Sequence, residues 1–269
     1  MTGSLGVLTS SHIGNNLLAD TVEAPARWRR LETTFTRDFP DHNLTLRLGD
    51  SVSRSGLSGR GVYFGGVQIG RNYMMSPGLV TQPVPVISGT STAPSTVELY
   101  VNDVLRQTSR VPTGPFTIDN FALLGGAGQA RVVVRDLRGR ETVLVQPFLS
   151  GGNMLDEGLT DWSAETGLLR QRLGEASADY GQAFVSGLWR SGISKTLTLE
   201  VTGAWGRSVS NAGTAATVAL FDRWLGEAGL GLSRSDLDGT GRQWAIGLNY
   251  PGTDQQLGLR LERSDDRYR

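Results

Sequence analysis

The chain contains no cysteine, and only two of its 269 residues, His12 and His42, are histidine. Without cysteine there is no disulfide framework and no thiolate chemistry. Two histidines in stretches that we expect to be loops could not form a multi-histidine metal site with each other alone. We therefore expect neither a metal nor any other cofactor.

Long apolar runs are missing as well. No segment approaches the ~20 apolar residues of a transmembrane helix. Residues 1–14 show neither the basic nor the apolar region of a signal peptide. A β-barrel is compatible with this pattern, because its strands show only ~10-residue segments of alternating hydrophobicity.

An excess of charge of either sign is also absent, since 26 Lys and Arg residues balance 26 Asp and Glu residues. This balance gives no indication of a nucleic-acid partner. The glycine-rich residues 125–128 lie between expected strands and do not open a helix, as phosphate-binding loops do, so we expect no small-molecule substrate. Asp156 and Glu157 are adjacent carboxylates, whereas a glycoside hydrolase needs two carboxylates across a cleft. We therefore do not expect an enzyme.

What the sequence does contain is glycine, 36 residues of it, and segments in which apolar and polar residues alternate. Such segments, joined in sequence by turns, predict an antiparallel meander; clear cases are residues 44–48, 197–201, 243–250 and 257–262. One face would be apolar and the other polar. This suits a sheet between lipid and a wet interior, and it equally suits a sandwich with one face in water.

We expect about three strands before residue 83 and about seven after residue 147, with residues 1–26 as a loop. The pair Gly65-Gly66 indicates either a bulge or a point where another backbone passes close.

Residues 83–147 form an island of short strands broken by proline and glycine turns, which predicts a small β-sandwich. We accordingly divide the chain into strands at 1–79, the sandwich at 80–150 and further strands at 151–269. A barrel of ~10 strands has a lumen mostly filled by side chains. Either the flanking strands belong to a larger barrel, or the module lies outside it.

Several motifs resemble the outer-membrane ushers of the chaperone–usher pathway for pilus assembly. Residues 44–51 (LTLRLGDS) and 62–69 (VYFGGVQI) resemble the barrel strands that precede the plug of this family. Residues 111–120 (VPTGPFTIDN), inside the island, are the most specific match. Further matches follow in the family's order, and the resemblance runs from about residue 27 to about residue 200; they are residues 88–102, 126–128, 133–141, 146–148, 158–167 (GLTDWSAETG) and 197–200 (LTLE).

The resemblance implies an all-β fold: part of a large antiparallel transmembrane β-barrel with an inserted β-sandwich plug domain. It implies a gated pore in the Gram-negative outer membrane that secretes and assembles pilus subunits. The implied partners are these subunits, the periplasmic chaperone that delivers them, and outer-membrane lipid. Nothing in the sequence matches the family's N-terminal recruiting domain, its two C-terminal domains or the second half of its barrel, so we expect a fragment.

Two groups of residues would then operate the plug. We expect residues 112–115 to fix a turn that places Phe116 in the sandwich core. A stiff proline linker would lead into the module and a looser glycine hinge would leave it. The candidates for fold and hinges are Pro83, Pro85, Pro112, Gly114, Pro115, Phe116, Gly151 and Gly152.

The second group would form ion pairs between plug and wall. Exposed pairs are each worth only ~0–1 kcal/mol, so several together could make a reversible latch. The alternative is that the arginines only solvate the module. The candidates are Arg106, Arg110, Arg131, Arg135, Arg138, Arg140 and Glu200.

A different function also fits the pattern. Residues 80–150 could be a soluble immunoglobulin-like binding module, with the flanks as a soluble β-sheet. Heat-modifiable migration on a gel, typical of membrane barrels, would separate this hypothesis from the usher hypothesis.

Overall fold

The computed structural model describes residues 2–3, 5–15, 27–57, 59–84, 87–118, 126–150, 153–221, 223–252 and 255–269. These residues are almost entirely in antiparallel strands, with two short 3₁₀ helices at Pro40–His42 and Tyr73–Met75. None of the described residues belongs to a helix that is long and apolar enough to cross a membrane.

The strands form one large sheet and two small ones. In chain order they are β1 Thr2–Gly3, β2 Gly6–Asn15, β3 Arg27–Phe39, β4 Leu44–Val52, β5 Tyr63–Arg71, β6 Ile87–Ser91, β7 Ser95–Val101, β8 Val104–Val111, β9 Gly114–Ile118, β10 Gly126–Asp136, β11 Glu141–Ser150, β12 Thr160–Arg170, β13 Tyr180–Ser194, β14 Leu197–Gly206, β15 Val209–Leu220, β16 Trp224–Ser235, β17 Gly239–Pro251 and β18 Gln256–Ser264.

The large sheet, which we call the wall, has twelve strands in the order β1-β2-β3-β4-β5-β12-β13-β14-β15-β16-β17-β18. It is a meander with one interruption. Strands β5 and β12 are hydrogen-bonded neighbours, with Gly70 opposite Ser163, although residues 72–159 separate them in sequence. The module is therefore inserted into a single connection between neighbouring wall strands.

The prediction of seven strands after the module is confirmed, but the prediction for the first residues is wrong. Residues 6–15, expected to be a loop, form β2, and five strands instead of about three precede the module. His12 therefore lies in a strand, where it pairs with Arg30. Residues 6–15 show little alternation of apolar and polar residues, and most side chains of β2 are exposed. The segment is a strand because it pairs with β3.

Side chains alternate clearly between the two faces of the wall. In β14, Thr198 and Glu200 are buried, whereas Leu199 and Val201 are exposed. We call the face that carries Glu200 the inner face, and the face that carries Val201 the outer face. Large apolar side chains are exposed along the outer face, including Val185, Leu230, Ile246 and Leu259. Such a surface is unfavourable in water and matches the lipid-facing side of a membrane barrel.

The glycine pair in β5 marks a close approach and not a bulge. Pairing of β5 with β4 and with β12 continues through Gly65 and Gly66 without a shift. A Cβ atom on Gly66 would overlap the carbonyl group of Thr166, and the ring of Tyr180 lies over Gly65.

The inserted module, β6–β11, is a sandwich. Its four-stranded sheet has the order β11-β10-β7-β8, and its two-stranded sheet pairs β6 with β9. Apolar residues from both sheets form one core, in which Leu99 and Val132 are fully buried and Phe116 comes from the small sheet. Burial of a large apolar side chain contributes about 1.5–3 kcal/mol, so this core is the main source of stability in the module.

Candidate functional site

The inner face of the wall holds a loop that lies across several strands. Residues 53–57 and 59–62, which join β4 to β5, are here called the inner loop. Arg54 of this loop binds the carboxylate of Asp161 through both guanidinium Nη atoms, and the Arg54 N–H donates to Glu165 Oε1 at 3.2 Å. The Leu57 N–H donates to Glu200 Oε1 at 2.7 Å. The loop thus reaches from β4 to β14.

Three carboxylates of the wall bind the inner loop: Asp161, Glu165 and Glu200. Glu165 is 2% exposed and accepts hydrogen bonds from Gln68 Nε2 and Ser186 Oγ in addition to the Arg54 amide. Glu200 is 6% exposed and accepts hydrogen bonds from Arg190 Nη2 at 2.5 Å and Nε at 3.0 Å. Buried charges are stable only when they are paired and hydrogen-bonded, and the inner loop supplies part of that pairing.

The segment that leaves the module, residues 153–159, is bound to the same face; we call it the exit segment. Met154 packs with Leu149 and with Leu225 of β16. The Leu155 N–H donates to Thr198 Oγ1 at 2.9 Å, and Asn153 Nδ2 donates to Glu227 Oε1 at 2.8 Å. Apolar and polar contacts together fix the exit segment to β14 and β16.

The segment that leads into the module is joined to the exit segment. The Asp156 N–H donates to the Thr81 carbonyl at 2.8 Å, and Lys195 Nζ donates to the Val84 carbonyl at 3.3 Å. Pro83 is buried between these contacts. The hinge candidates Pro85, Gly151 and Gly152 lie outside the described residues.

The candidate turn of the module lies at the start of β9. Gly114 has a φ of 129°, a conformation that favours glycine. Pro112 and Pro115 are exposed, and Phe116 lies in the core. The turn therefore directs one aromatic side chain inward and keeps its prolines at the surface.

The module arginines that form ion pairs do so within the module. Arg131 pairs with Asp103 at 3.1 Å, Arg135 with Glu141 at 2.7 Å and Arg140 with Asp136 at 2.8 Å. Arg106, Arg110 and Arg138 are exposed. Glu200, the wall candidate, has Arg190 and the inner loop as its partners. A latch between these arginines and the wall stays a prediction.

Asp136 anchors the turn between β10 and β11. Its Oδ1 accepts the N–H groups of Arg138 and Arg140 at 2.8 and 2.9 Å, and its Oδ2 accepts Arg140 Nε at 2.8 Å. The hydrogen bond from the Arg140 side chain is the main reason that the pKa of Asp136 is lowered. The turn is thus held by the charged form of Asp136.

Asp50, from the LTLRLGDS motif, has a different role. Its Oδ1 accepts hydrogen bonds from Arg170 Nη1 at 2.5 Å and from the Tyr180 hydroxyl at 2.6 Å. Its Oδ2 accepts the Thr33 N–H at 2.9 Å and also binds Arg30. One carboxylate therefore joins the ends of β3, β4, β12 and β13, and it holds β12, the first wall strand after the module, to strands that precede the module.

The sequence predicts a loop at residues 51–61 but not the contacts of this loop with the wall. A signal was present, because charged residues occupy inner positions of three neighbouring strands, β12 to β14. These residues are Asp161, Glu165, Arg190 and Glu200. The pairing could not be read from the sequence, since it depends on the register that puts Arg190 opposite Glu200. Serine, glycine and arginine in residues 53–61 gave no indication that the loop lies against the wall.

Comparison with known proteins identifies a family and several relatives that the chain resembles. A family model described as "Outer membrane usher protein" matches residues 10–226. Outer membrane usher protein YehB of Escherichia coli K12 is 28% identical, over 65% of this chain and 21% of the relative. Outer membrane usher protein FasD of Escherichia coli is 26% identical, over 88% of this chain and 28% of the relative. The chain spans less than a third of the length of either relative.

Solved structures show the same fold. The translocation pore of the P pilus usher PapC matches 97% of this chain and 56% of that chain, with a TM-score of 0.53 and 18% identity. A chain of the E. coli P pilus tip assembly intermediate PapC-PapD-PapK-PapG matches 97% of this chain and 32% of that chain, with a TM-score of 0.62 and 17% identity. At these identities the likeness concerns the fold alone.

Proposed function

Because the chain belongs to the outer membrane usher family, we propose that it forms part of the wall and the plug of a pore that secretes and assembles pilus subunits. The chain is an outer-membrane protein, and its twelve-stranded sheet is part of a large antiparallel transmembrane β-barrel with an inserted sandwich. In the proposal, the inner face lines the pore and a periplasmic chaperone delivers the subunits. The role is transport and assembly, without a catalytic step.

The binding of the exit segment to the inner face is the observation that supports this role most directly. Thr198 and Glu227 hold residues 153–155 on the polar side of the wall. A module tethered on that side can occupy the pore, whereas a module tethered on the apolar side would meet lipid. This tethering supports the proposal that the inserted sandwich acts as a plug.

We further propose that residues 80–150 move as one unit between flanking parts at 1–79 and 151–269. The exit segment stays on the wall, so rotation would occur at residues 83–85 and 151–152. Arg106, Arg110 and Arg138 are exposed on the module and make no ion pair among the residues that the structure describes. They are the module groups best placed for a reversible latch.

A graft tests the proposal. Residues 27–269 would replace the matching segment of FimD, the outer membrane usher of E. coli K12 to which this chain is 28% identical over 162 residues. We expect surface pili on cells that depend on the chimaera. A second chimaera without residues 80–150 should admit a large antibiotic more readily, because its pore lacks the plug.

The two readouts separate two failures. An inserted chimaera that assembles no pili would contradict the role in assembly. Equal antibiotic uptake with and without residues 80–150 would contradict the role of the module as a plug.

A further inference from the structure

The outer face of β14–β18 is organised in rows of directly paired residues. One row is Leu199, Ala216, Ala228, Ile246 and Leu261. The next row is Val201, Thr214, Leu230, Trp244 and Arg263, and the row after it contains Ala212, Leu232 and Arg242. The rows therefore change from fully apolar to arginine-containing along the strands.

The apolar rows contain a groove. Ala216 and Ala228 are paired, and their short side chains leave a depression between Leu199, Leu230 and Ile246. The cavity measures about 470 Å³ and is lined almost entirely by apolar atoms. Trp244 borders it on the side toward the arginines. The apolar lining suits a hydrocarbon chain.

Three arginines lie next to this groove on the same face. Arg263 is opposite Trp244, Arg242 is opposite Leu232, and Arg234 follows two residues after Leu232. Diagonal neighbours of this kind lie ~7–8 Å apart, within reach of long side chains. Each arginine is exposed. Like charges at such spacing repel each other, so the arrangement favours an anion that binds several guanidinium groups at once.

One carboxylate lies beside the three arginines and offsets at most one of their charges. Asp265, opposite Arg242 near the start of β17, accepts the backbone N–H groups of Arg242 and Arg267 at 2.9 and 3.1 Å. Among the described residues, no ion pair involves the side chain of Arg234, Arg242 or Arg263. The cluster therefore keeps a net positive charge.

The position of the cluster along the strands indicates the leaflet. It lies at the end of the wall that also carries the inner loop and residues 171–179, the longer described connections apart from the module. The opposite end carries the module and the short turns at 40–43 and 195–196. In outer-membrane barrels the longer loops are extracellular. The arginines thus lie at the outer leaflet.

We propose that the outer face of β15–β18 is a binding site for lipopolysaccharide, the phosphorylated and multiply acylated glycolipid of the outer leaflet. A phosphate group binds Arg234, Arg242 and Arg263, because guanidinium groups pair with phosphate in bidentate geometry. An acyl chain lies in the groove over Ala216 and Ala228. Basic surfaces beside membrane-spanning segments bind anionic lipid headgroups by the same chemistry. The site does not depend on the proposed role in secretion.

The test measures retention of purified lipopolysaccharide by the full chain in detergent micelles. After removal of excess lipid by gel filtration, mass spectrometry gives the lipid bound per chain. We expect the variant with Arg234→Gln, Arg242→Gln and Arg263→Gln to retain at least tenfold less than the unmodified chain. Ala216→Leu with Ala228→Leu fills the groove and should lower retention severalfold while all arginines remain.

A matched control removes the same charge elsewhere, at the exposed Arg37, Arg60 and Arg223, each changed to Gln. This control should retain lipopolysaccharide like the unmodified chain, and circular dichroism checks that every variant keeps its β-structure. Equal losses in both triple variants would show general charge attraction and overturn the site. Retention of phosphatidylglycerol as tight as that of lipopolysaccharide would overturn the choice of lipid. Unchanged retention in the groove variant would overturn the acyl-chain assignment.

Discussion

At the scale of single residues, Thr198 is the side chain on which the exit segment depends. It is 2% exposed, accepts the Leu155 N–H at 2.9 Å and donates to the Leu155 carbonyl at 3.4 Å. In Thr198→Val the shape is kept, but the Leu155 amide loses its acceptor. Leaving a buried donor unsatisfied costs about 1–3 kcal/mol. We expect the free energy of unfolding, measured by urea titration of the refolded chain, to fall by that amount.

Thr217→Val is the matched control for this change. Thr217 is also buried on the inner face, and its side chain makes no hydrogen bond among the residues that the structure describes. Its replacement should change stability by less than half as much. If both variants lose the same stability, the loss comes from the Thr-to-Val exchange itself and Thr198 is not an anchor.

For single residues, the sequence predicts some strand positions but not the partners of their side chains. Leu197, Leu199 and Val201 alternate with polar residues, and this alternation correctly predicted a two-faced strand. His12 lies in a strand with little alternation, so only its partner strand reveals its structure. Glu200 was expected to pair with an arginine of the module, but its partner in the structure is Arg190, which is set by strand register, and local composition does not encode that register.

At the scale of elements, the inner loop is held by a carboxylate that the wall supplies. Glu200→Gln removes the charge opposite Arg190 and weakens the acceptor of the Leu57 N–H. Hydrogen bonds to charged groups contribute about 1.5–3 kcal/mol. We expect the Leu57 amide to exchange its hydrogen roughly tenfold faster or more in native-state exchange, since about 1.4 kcal/mol corresponds to a factor of ten.

Glu141→Gln provides the comparison for Glu200→Gln. Glu141 pairs with Arg135 on the module, where both side chains are about half exposed, and exposed pairs contribute little. Exchange at Leu57 should stay unchanged in this variant. A Leu57 amide that remains equally protected in Glu200→Gln would mean that other contacts hold the inner loop.

The turn between β10 and β11 should respond to acid. The pKa of Asp136 is lowered by the hydrogen bond from Arg140, so the folded state favours the charged carboxylate. Its contribution to stability is complete above the ordinary Asp pKa of ~3.9 and is lost as pH falls through the lowered value. We expect Asp136→Asn to lower the thermal midpoint at pH 7, and this difference from the unmodified chain should disappear once the pH has fallen below the lowered pKa of Asp136.

Asp103→Asn tests whether loss of any paired carboxylate in the module lowers the thermal midpoint at pH 7. Asp103 pairs with Arg131 but its side chain is 88% exposed, so its replacement should change the thermal midpoint little at either pH. A difference between Asp136→Asn and the unmodified chain that stays constant with pH would show that charge is not what holds the turn.

At the scale of the whole molecule, the division into wall and module is the feature with the widest consequences. Core residues of β6–β11 contact one another across both sheets of the sandwich, and the wall contributes none of them. Residues 80–150 expressed alone should therefore fold and unfold cooperatively. A single core of this size supplies only about 3–5 kcal/mol, so the isolated module should be modestly stable in urea titrations followed by circular dichroism.

Two substitutions test whether residues 80–150 fold without the wall. Leu99 is fully buried in the core of the module, and Leu→Ala at such a site costs about 2–5 kcal/mol, enough to unfold the isolated segment. Leu105→Ala, at a half-exposed position of β8, should leave it folded. An isolated segment that is unfolded even without substitution would mean that the wall completes the module. The module could then not leave its place as a unit, and movement of the plug would require partial unfolding instead of rotation about its two linkers.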